Sequence, residues 1–151
     1  MKYTTEIIVD VPLDEFITKL DNPENMKYWQ KGLVGYKSLS GKQGSEGAKM
    51  ELQYKMGRRQ LVLVETIIKN NFPYEFHATY DAKGVHNIQK NTFKAIDAHS
   101  TKWISESEFQ FSGIMMKIMG FIMPGAFKKQ SMEYLQDFKA FAEEGISVAK
   151  A

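Results

Sequence analysis

TKWISESEFQFSGIMMKIMGFIMPGAFKKQSMEYLQDFKAF, residues Thr101 to Phe141, carries two periods in succession. From Thr101 to Phe111, Trp103, Phe109 and Phe111 share one parity with Ser105 and Ser107, which is the alternation of a strand with that side turned inward and Glu106 and Glu108 turned out. After Ser112-Gly113 the pattern becomes helical for roughly 30 residues. Ile114, Met115, Ile118, Met119, Phe121, Ile122, Met123 and Phe127 surround a Pro124-Gly125 break, and Met132, Leu135, Phe138 and Phe141 follow it. That much apolar surface does not suit a solvated lid. It calls for a partner, and the simplest one is a sheet.

The residues upstream supply that sheet. Thr4, Thr5, Ile7, Ile8 and Val9 predict a first strand ending before Pro12. Pro12, Asp14 and Glu15 then open a short helix with Leu13, Phe16, Ile17 and Leu20 on one side, and Asn22-Pro23-Glu24 opens a second that reaches Trp29. Met50, Leu52, Tyr54 and Met56 alternate with Lys49, Glu51, Gln53 and Lys55, so one side of that strand is buried. The Leu61-Val62-Leu63-Val64 run predicts a strand covered on both sides. Phe76, Ala78 and Tyr80 alternate with His77, Thr79 and Asp81, and Asp81-Ala82-Lys83-Gly84 predicts a turn into a further strand. The result is an α+β fold: a curved antiparallel sheet of about seven strands around a long C-terminal helix, with two short helices after the first strand. Residues 1–151 are read as one domain.

In order and pattern the chain resembles the START-related, polyketide cyclase/dehydrase-like and birch-pollen-allergen-like (SRPBCC) superfamily. The likeness rests on Val9-Asp10-Val11-Pro12, the Phe16 to Leu20 helix, Asn22-Pro23 with Trp29 at its end, Glu65 followed by Phe72-Pro73, and the final helix with Leu135, Phe138 and Lys139. The resemblance implies a helix-grip fold with a ligand tunnel between sheet and helix. Members include lipid carriers, quinone-binding proteins, aromatic polyketide cyclases, hormone receptors and co-chaperones, and fold alone does not choose among them.

Composition narrows the chemistry. With 20 basic and 18 acidic residues the net charge is +2, which argues against nucleic acid as a partner. The absence of cysteine removes disulfides and thiol chemistry. The N-terminal MKYTTEIIVDV has no apolar core of a secretory signal, so a cytoplasmic location is the default expectation. His77, His86 and His99 show no metal-ligand spacing, and no cofactor is implied. A three-residue hairpin loop pairing Asp81 with Val85 sets His77 and His86 on opposite sides of the sheet, whereas a register one residue different sets them on one side, about 7 Å apart diagonally.

These features point to a protein that binds a small hydrophobic ligand such as a lipid, isoprenoid, quinone or polycyclic aromatic. The expected lining is Met50, Leu52, Tyr54, Phe76, Tyr80, His86, Trp103, Ser105, Phe109, Met115, Met119 and Met123, with methionines supplying an adaptable wall. Binding is favoured over catalysis, and no catalytic residue is assignable. The alternatives are a cyclase or dehydratase-like enzyme using Tyr54, Tyr80 or His86 as acid or base, and a co-chaperone-like interaction module. Lys117, Lys128 and Lys129 beside the apolar helix, with Lys55, Arg58 and Arg59 at one hairpin, suit transient contact with a membrane surface if they meet at one mouth. The expected state is a monomer or weak dimer.

Overall fold

The computed structural model describes residues 1–119 and 125–149. Seven strands form one antiparallel sheet: β1 (Lys2–Val9), β2 (Leu33–Ser40), β3 (Lys49–Met56), β4 (Arg59–Asn71), β5 (Glu75–Ala82), β6 (Val85–Asp97) and β7 (Ser100–Phe111). Their order is β1-β7-β6-β5-β4-β3-β2. The β2 to β7 path is a meander, with an eight-residue loop (41–48) between β2 and β3 and short turns after it, and β1 closes the opposite edge by pairing with β7. α1 (Leu13–Leu20) starts directly after Pro12. Next come a 3₁₀ turn (Pro23–Asn25), where the Asn22 side chain accepts from the Glu24 amide at 3.0 Å, and α2 (Met26–Trp29). α3 (Ile114–Met119) and α4 (Gly125–Glu144) end the fold. The predicted Pro124 break and Met123 lie outside the described residues.

The main core forms where α4 and α1 close over the β1, β7 and β6 end of the sheet. Leu135, Phe138 and Ala142 of α4 meet Val9, Phe16, Trp29, Phe93 and Trp103. Phe138 is the hub: its ring lies 4.8 Å from Phe16, 5.3 Å from Trp29 and 5.5 Å from Trp103, all edge-on. Burying one such side chain contributes about 1.5–3 kcal/mol. Polar contacts fix the helix in place. Lys139 Nζ donates to the Ile8 carbonyl at 2.7 Å, Lys19 Nζ donates to the Ala142 carbonyl at 2.8 Å, and the Tyr3 and Ser131 hydroxyls are 2.6 Å apart. A second cluster, Met26, Met50, Leu52 and Tyr54, sits at the other side of the sheet.

Three expectations are corrected. β4 is not covered on both sides: Val62 is 47% exposed on the outer face, and Leu61, which shares the helix-facing parity of Leu63, is 41% exposed near the hairpin end of the strand. α3 does not lay its apolar residues on the sheet: Ile114 is 71% exposed and Met116 63%. The β5–β6 hairpin pairs Ala82 with Val85, leaving a two-residue connection, Lys83-Gly84. Gly84 takes φ +76°, and a Cβ there would fall 2.6 Å from Met115 Cγ, so the glycine serves both the turn and the close approach of α3.

Candidate functional site

The ladder registers define which side chains face the helices. Met50 pairs with Glu65, Glu65 with Tyr80, Tyr80 with Asn87 and Asn87 with Phe109, a row running across β3 to β7. The next rows contain Leu52 with Leu63, and Ala78, Gln89 and Ser107; a further row contains Phe76, Asn91, Ser105 and Thr5. The centre of the helix-facing side is therefore polar, although its surroundings are aromatic and aliphatic. Glu65, Leu63, Phe76, Tyr80, Gln89 and Phe109 all point to this side yet remain partly accessible. α4 runs along β1 and α2, its Phe127 ring lies 5.0 Å from that of Phe109 on β7, and its Tyr134 lies close enough to Tyr54 of β3 to act on that phenol.

Glu65 is the distinctive group. Burial holds its carboxyl above the usual carboxylate range, and the negative charge of Asp21 adds to the shift, whereas the Tyr80 hydroxyl in contact with it works the other way. Burial, reinforced by Glu65, pushes the Tyr80 phenol well above its ordinary value. Tyr54 is raised for the same first reason, with Tyr134 of α4 and then Glu65 adding to it, and its hydroxyl donates to Gln30 Oε1 at 2.5 Å. The carboxyl and three phenols are thus gathered from β3, β4, β5 and α4. No lysine or arginine occupies a helix-facing position of β3, β5, β6 or β7. A water-sized cavity of about 10 Å³, lined by Ser38, Met50, Glu65 and Ile67 among others, adjoins the carboxyl between the ends of β2, β3 and β4.

The amides beside this group are partly committed to one another. Asn87 Nδ2 donates to Ser107 Oγ at 2.9 Å, Gln89 Nε2 donates to Asn87 Oδ1 at 2.9 Å, and the Trp103 indole donates to Asn91 Oδ1 at 2.9 Å. Two buried polar atoms have no partner, the Thr5 hydroxyl and the Trp29 indole nitrogen.

Of the residues predicted from sequence, Met50, Leu52, Tyr54, Phe76, Tyr80, Trp103, Ser105 and Phe109 all lie on the helix-facing side. They do not form one patch. Trp103 belongs to the main core, Phe109 stacks among Tyr3, Phe111 and Phe127, and Met50, Leu52 and Tyr54 are buried in the second cluster. Met115 and Met119 are half-buried on α3, Met115 against the Gly84 turn, and Met123 is outside the described residues.

His86 is a correction. The two-residue hairpin puts it on the outer face, where its Nδ1 meets Asp81 Oδ1. His77 shares that outer face, so the opposite-side expectation fails, but four residues of strand separate its ladder position from His86, about 13 Å rather than 7 Å. Among the described residues no group of three or more acidic, histidine or cysteine side chains is placed to hold a metal. An open groove of about 400 Å³, lined by Asp81, Gly84, His86, Gln110, Phe111 and Ser112, lies at this rim, apart from Glu65.

Sequence reasoning missed Glu65, Asn87, Gln89 and Asn91. The available signal was register: Glu65 has the parity of Leu61, Leu63 and Ile67, and a two-residue loop gives Asn87 and Asn91 the parity of Phe93.

No protein-family model matches the chain, and no curated protein sequence matches it. Solved structures do. Ara h 8.0201 superposes with a TM-score of 0.73 at 14% identity, over 94% of this chain and 97% of that one. Major latex-like protein 151 from Panax ginseng gives 0.71 at 9% identity, over 94% and 97%. The di-domain ARO/CYC StfQ of the steffimycin biosynthetic pathway gives 0.70 at 15% identity, over 96% of this chain and 45% of that longer one. At such identities the likeness speaks to architecture alone. The chain has the helix-grip fold of these proteins, with its seven-stranded sheet, two short helices after β1 and long C-terminal helix in the same arrangement.

Proposed function

We propose that the chain binds one small, uncharged hydrophobic molecule bearing a carbonyl or hydroxyl group between α4 and strands β3 to β6; the cavity of about 10 Å³ beside Glu65 has room for one water, so the ligand enters by displacing the partly accessible side chains around it, Leu63 and Tyr80 among them. The observation that carries this reading is the Glu65, Tyr80 and Tyr54 group set among apolar side chains with no cation on the adjoining strand positions. Apolar walls supply affinity, and the few convergent polar atoms supply orientation. A carboxyl whose neutral form is favoured donates a hydrogen bond to a ligand oxygen, as do the phenols. A ligand carboxylate would meet Glu65 without a counter-charge, which disfavours free fatty acids. The similar structures include a latex-like protein and an ARO/CYC of the steffimycin biosynthetic pathway, and a pocket for polycyclic, oxygen-bearing molecules is compatible with both.

A second reading is favoured by the same pair. A raised carboxyl beside a phenol is an acid/base arrangement suited to proton transfer at a carbon next to a ketone. In that case Glu65 moves the proton and Tyr80 holds the ketone oxygen.

The test is a fluorescence titration, read on tryptophan, with three naphthalenes that differ only in their substituent: 2-acetylnaphthalene, 2-ethylnaphthalene and 2-naphthoate. The ketone is expected to bind about tenfold tighter than the carboxylate, the scale of one unmatched buried polar group. Glu65→Gln should keep ketone binding and narrow that ratio. Failure of all three probes to bind, or tightest binding by the carboxylate, would sink the proposal.

A further inference from the structure

The end of the sheet that carries α3 combines exposed apolar side chains with an excess of positive charge. The β3–β4 turn, the β5–β6 turn and the end of β7 all lie at this end, because the strands are antiparallel and these are their consecutive reversals. β7 and β4 are three strand spacings apart, about 14 Å before curvature. α3 leaves β7 toward the β5–β6 turn, where Met115 meets Gly84. Ile114, Met116 and Ile118 of this helix are 71%, 63% and 44% exposed. At the hairpin tip Met56 is 43% exposed.

Around these sit Arg58 and Arg59 at the β3–β4 tip, Lys83 in the β5–β6 turn, Lys117 on α3, and Lys128 and Lys129 in the first turn of α4. The only acidic residue in these described segments is Asp81, and it is paired with His86. In a chain whose net charge is +2, this concentration makes the rest of the molecule net acidic. The molecule is therefore electrically polarised, with its basic pole coinciding with its most exposed apolar element. Exposed apolar residues flanked by lysine and arginine match an anionic lipid bilayer on both counts: the apolar side chains enter the acyl boundary while the bases stay among the headgroups.

We propose that this end of the molecule docks on anionic membranes, with α3 as the inserting element and the surrounding bases as the electrostatic contact. Docking there brings the bilayer, a suitable source for a hydrophobic ligand, to the strand ends nearest Tyr80 and Phe109. The docking claim itself does not depend on the ligand reading, because it is measured without ligand.

The experiment is co-sedimentation of the whole chain with phosphatidylcholine vesicles and with vesicles containing about one quarter phosphatidylserine. Binding is expected to the anionic vesicles only, and to fall about tenfold or more between 50 mM and 500 mM salt. Lys128→Glu with Lys129→Glu should weaken it about tenfold, and Ile114→Ser with Met116→Ser should weaken it similarly while leaving the circular dichroism spectrum unchanged. These positions are exposed, so folding is preserved, and the salt series on the unaltered protein provides a test without any variant. Absence of binding to anionic vesicles at low salt overturns the proposal. So does binding that neither pair of substitutions changes, or salt-sensitive capture by polyglutamate without capture by the vesicles, which would assign the basic surface to an acidic protein.

Discussion

Glu65 is a carboxyl that the fold holds at a cost to its own stability. Because burial raises its folded-state pKa above the unfolded value near 4.5, the folded chain keeps a proton that the unfolded chain releases. Stability from this group is therefore complete below about pH 4.5 and declines as pH rises through the folded value. Glu65→Gln removes that decline while keeping shape and hydrogen bonding. Its urea midpoint should exceed that of the unaltered protein at about pH 7.5 and match it at about pH 4. A lower midpoint at both pH values would show that the carboxylate, not the acid, is the form the fold favours. Residues with this property belong at functional sites more often than in inert cores. Tyr54 and Tyr80 were legible from the sequence because each shares the parity of apolar neighbours. Glu65 was not, since the apolar residues around it occupy both parities and give the strand no single face.

At the scale of elements, alternation was decisive where one side of a strand is apolar and the other charged, as in Lys49 to Met56 and Thr101 to Phe111. It failed where a turn length set the parity. Asp81 to Val85 accepts a two- or a three-residue connection with Gly84 at positive φ, and the choice reverses every side chain of β6. That single step placed His86 inward in the sequence reading and hid Asn87 and Asn91. The helical pattern after Gly113 was read correctly in type but not in packing. Residues 114–119 are apolar apart from Lys117, so periodicity could not say that Ile114, Met116 and Ile118 stay exposed. The turn that carries α3 makes a testable prediction. Gly84→Ala introduces a Cβ at φ +76° and 2.6 Å from Met115 Cγ, and should cost about 1–2 kcal/mol from the backbone alone. Combined with Met115→Ala in a double-mutant cycle, part of the excess should be recovered. A cycle with no coupling would mean that α3 does not press on the turn.

For the whole molecule, a curved antiparallel sheet with a long C-terminal helix against it was legible because the hydrophobic pattern needs both, whereas the pairing of β1 with β7 was not. What the interior is for was not, because polar groups on a buried face become visible only once the register is known. The resulting layout has three parts. A dense aromatic core around Phe138 anchors α4, a polar centre around Glu65 lies on the middle strands, and a basic, apolar end carries α3. Among the described residues no helix is long and apolar enough to cross a membrane. The most direct test of the central claim is native mass spectrometry of gently purified protein, followed by solvent extraction of what it carries. The account predicts a one-to-one complex with an uncharged, oxygen-bearing hydrophobic molecule that Glu65→Gln retains. A passenger that is a carboxylate, or a protein that stays empty even after incubation with a lipid extract of cells, would contradict it.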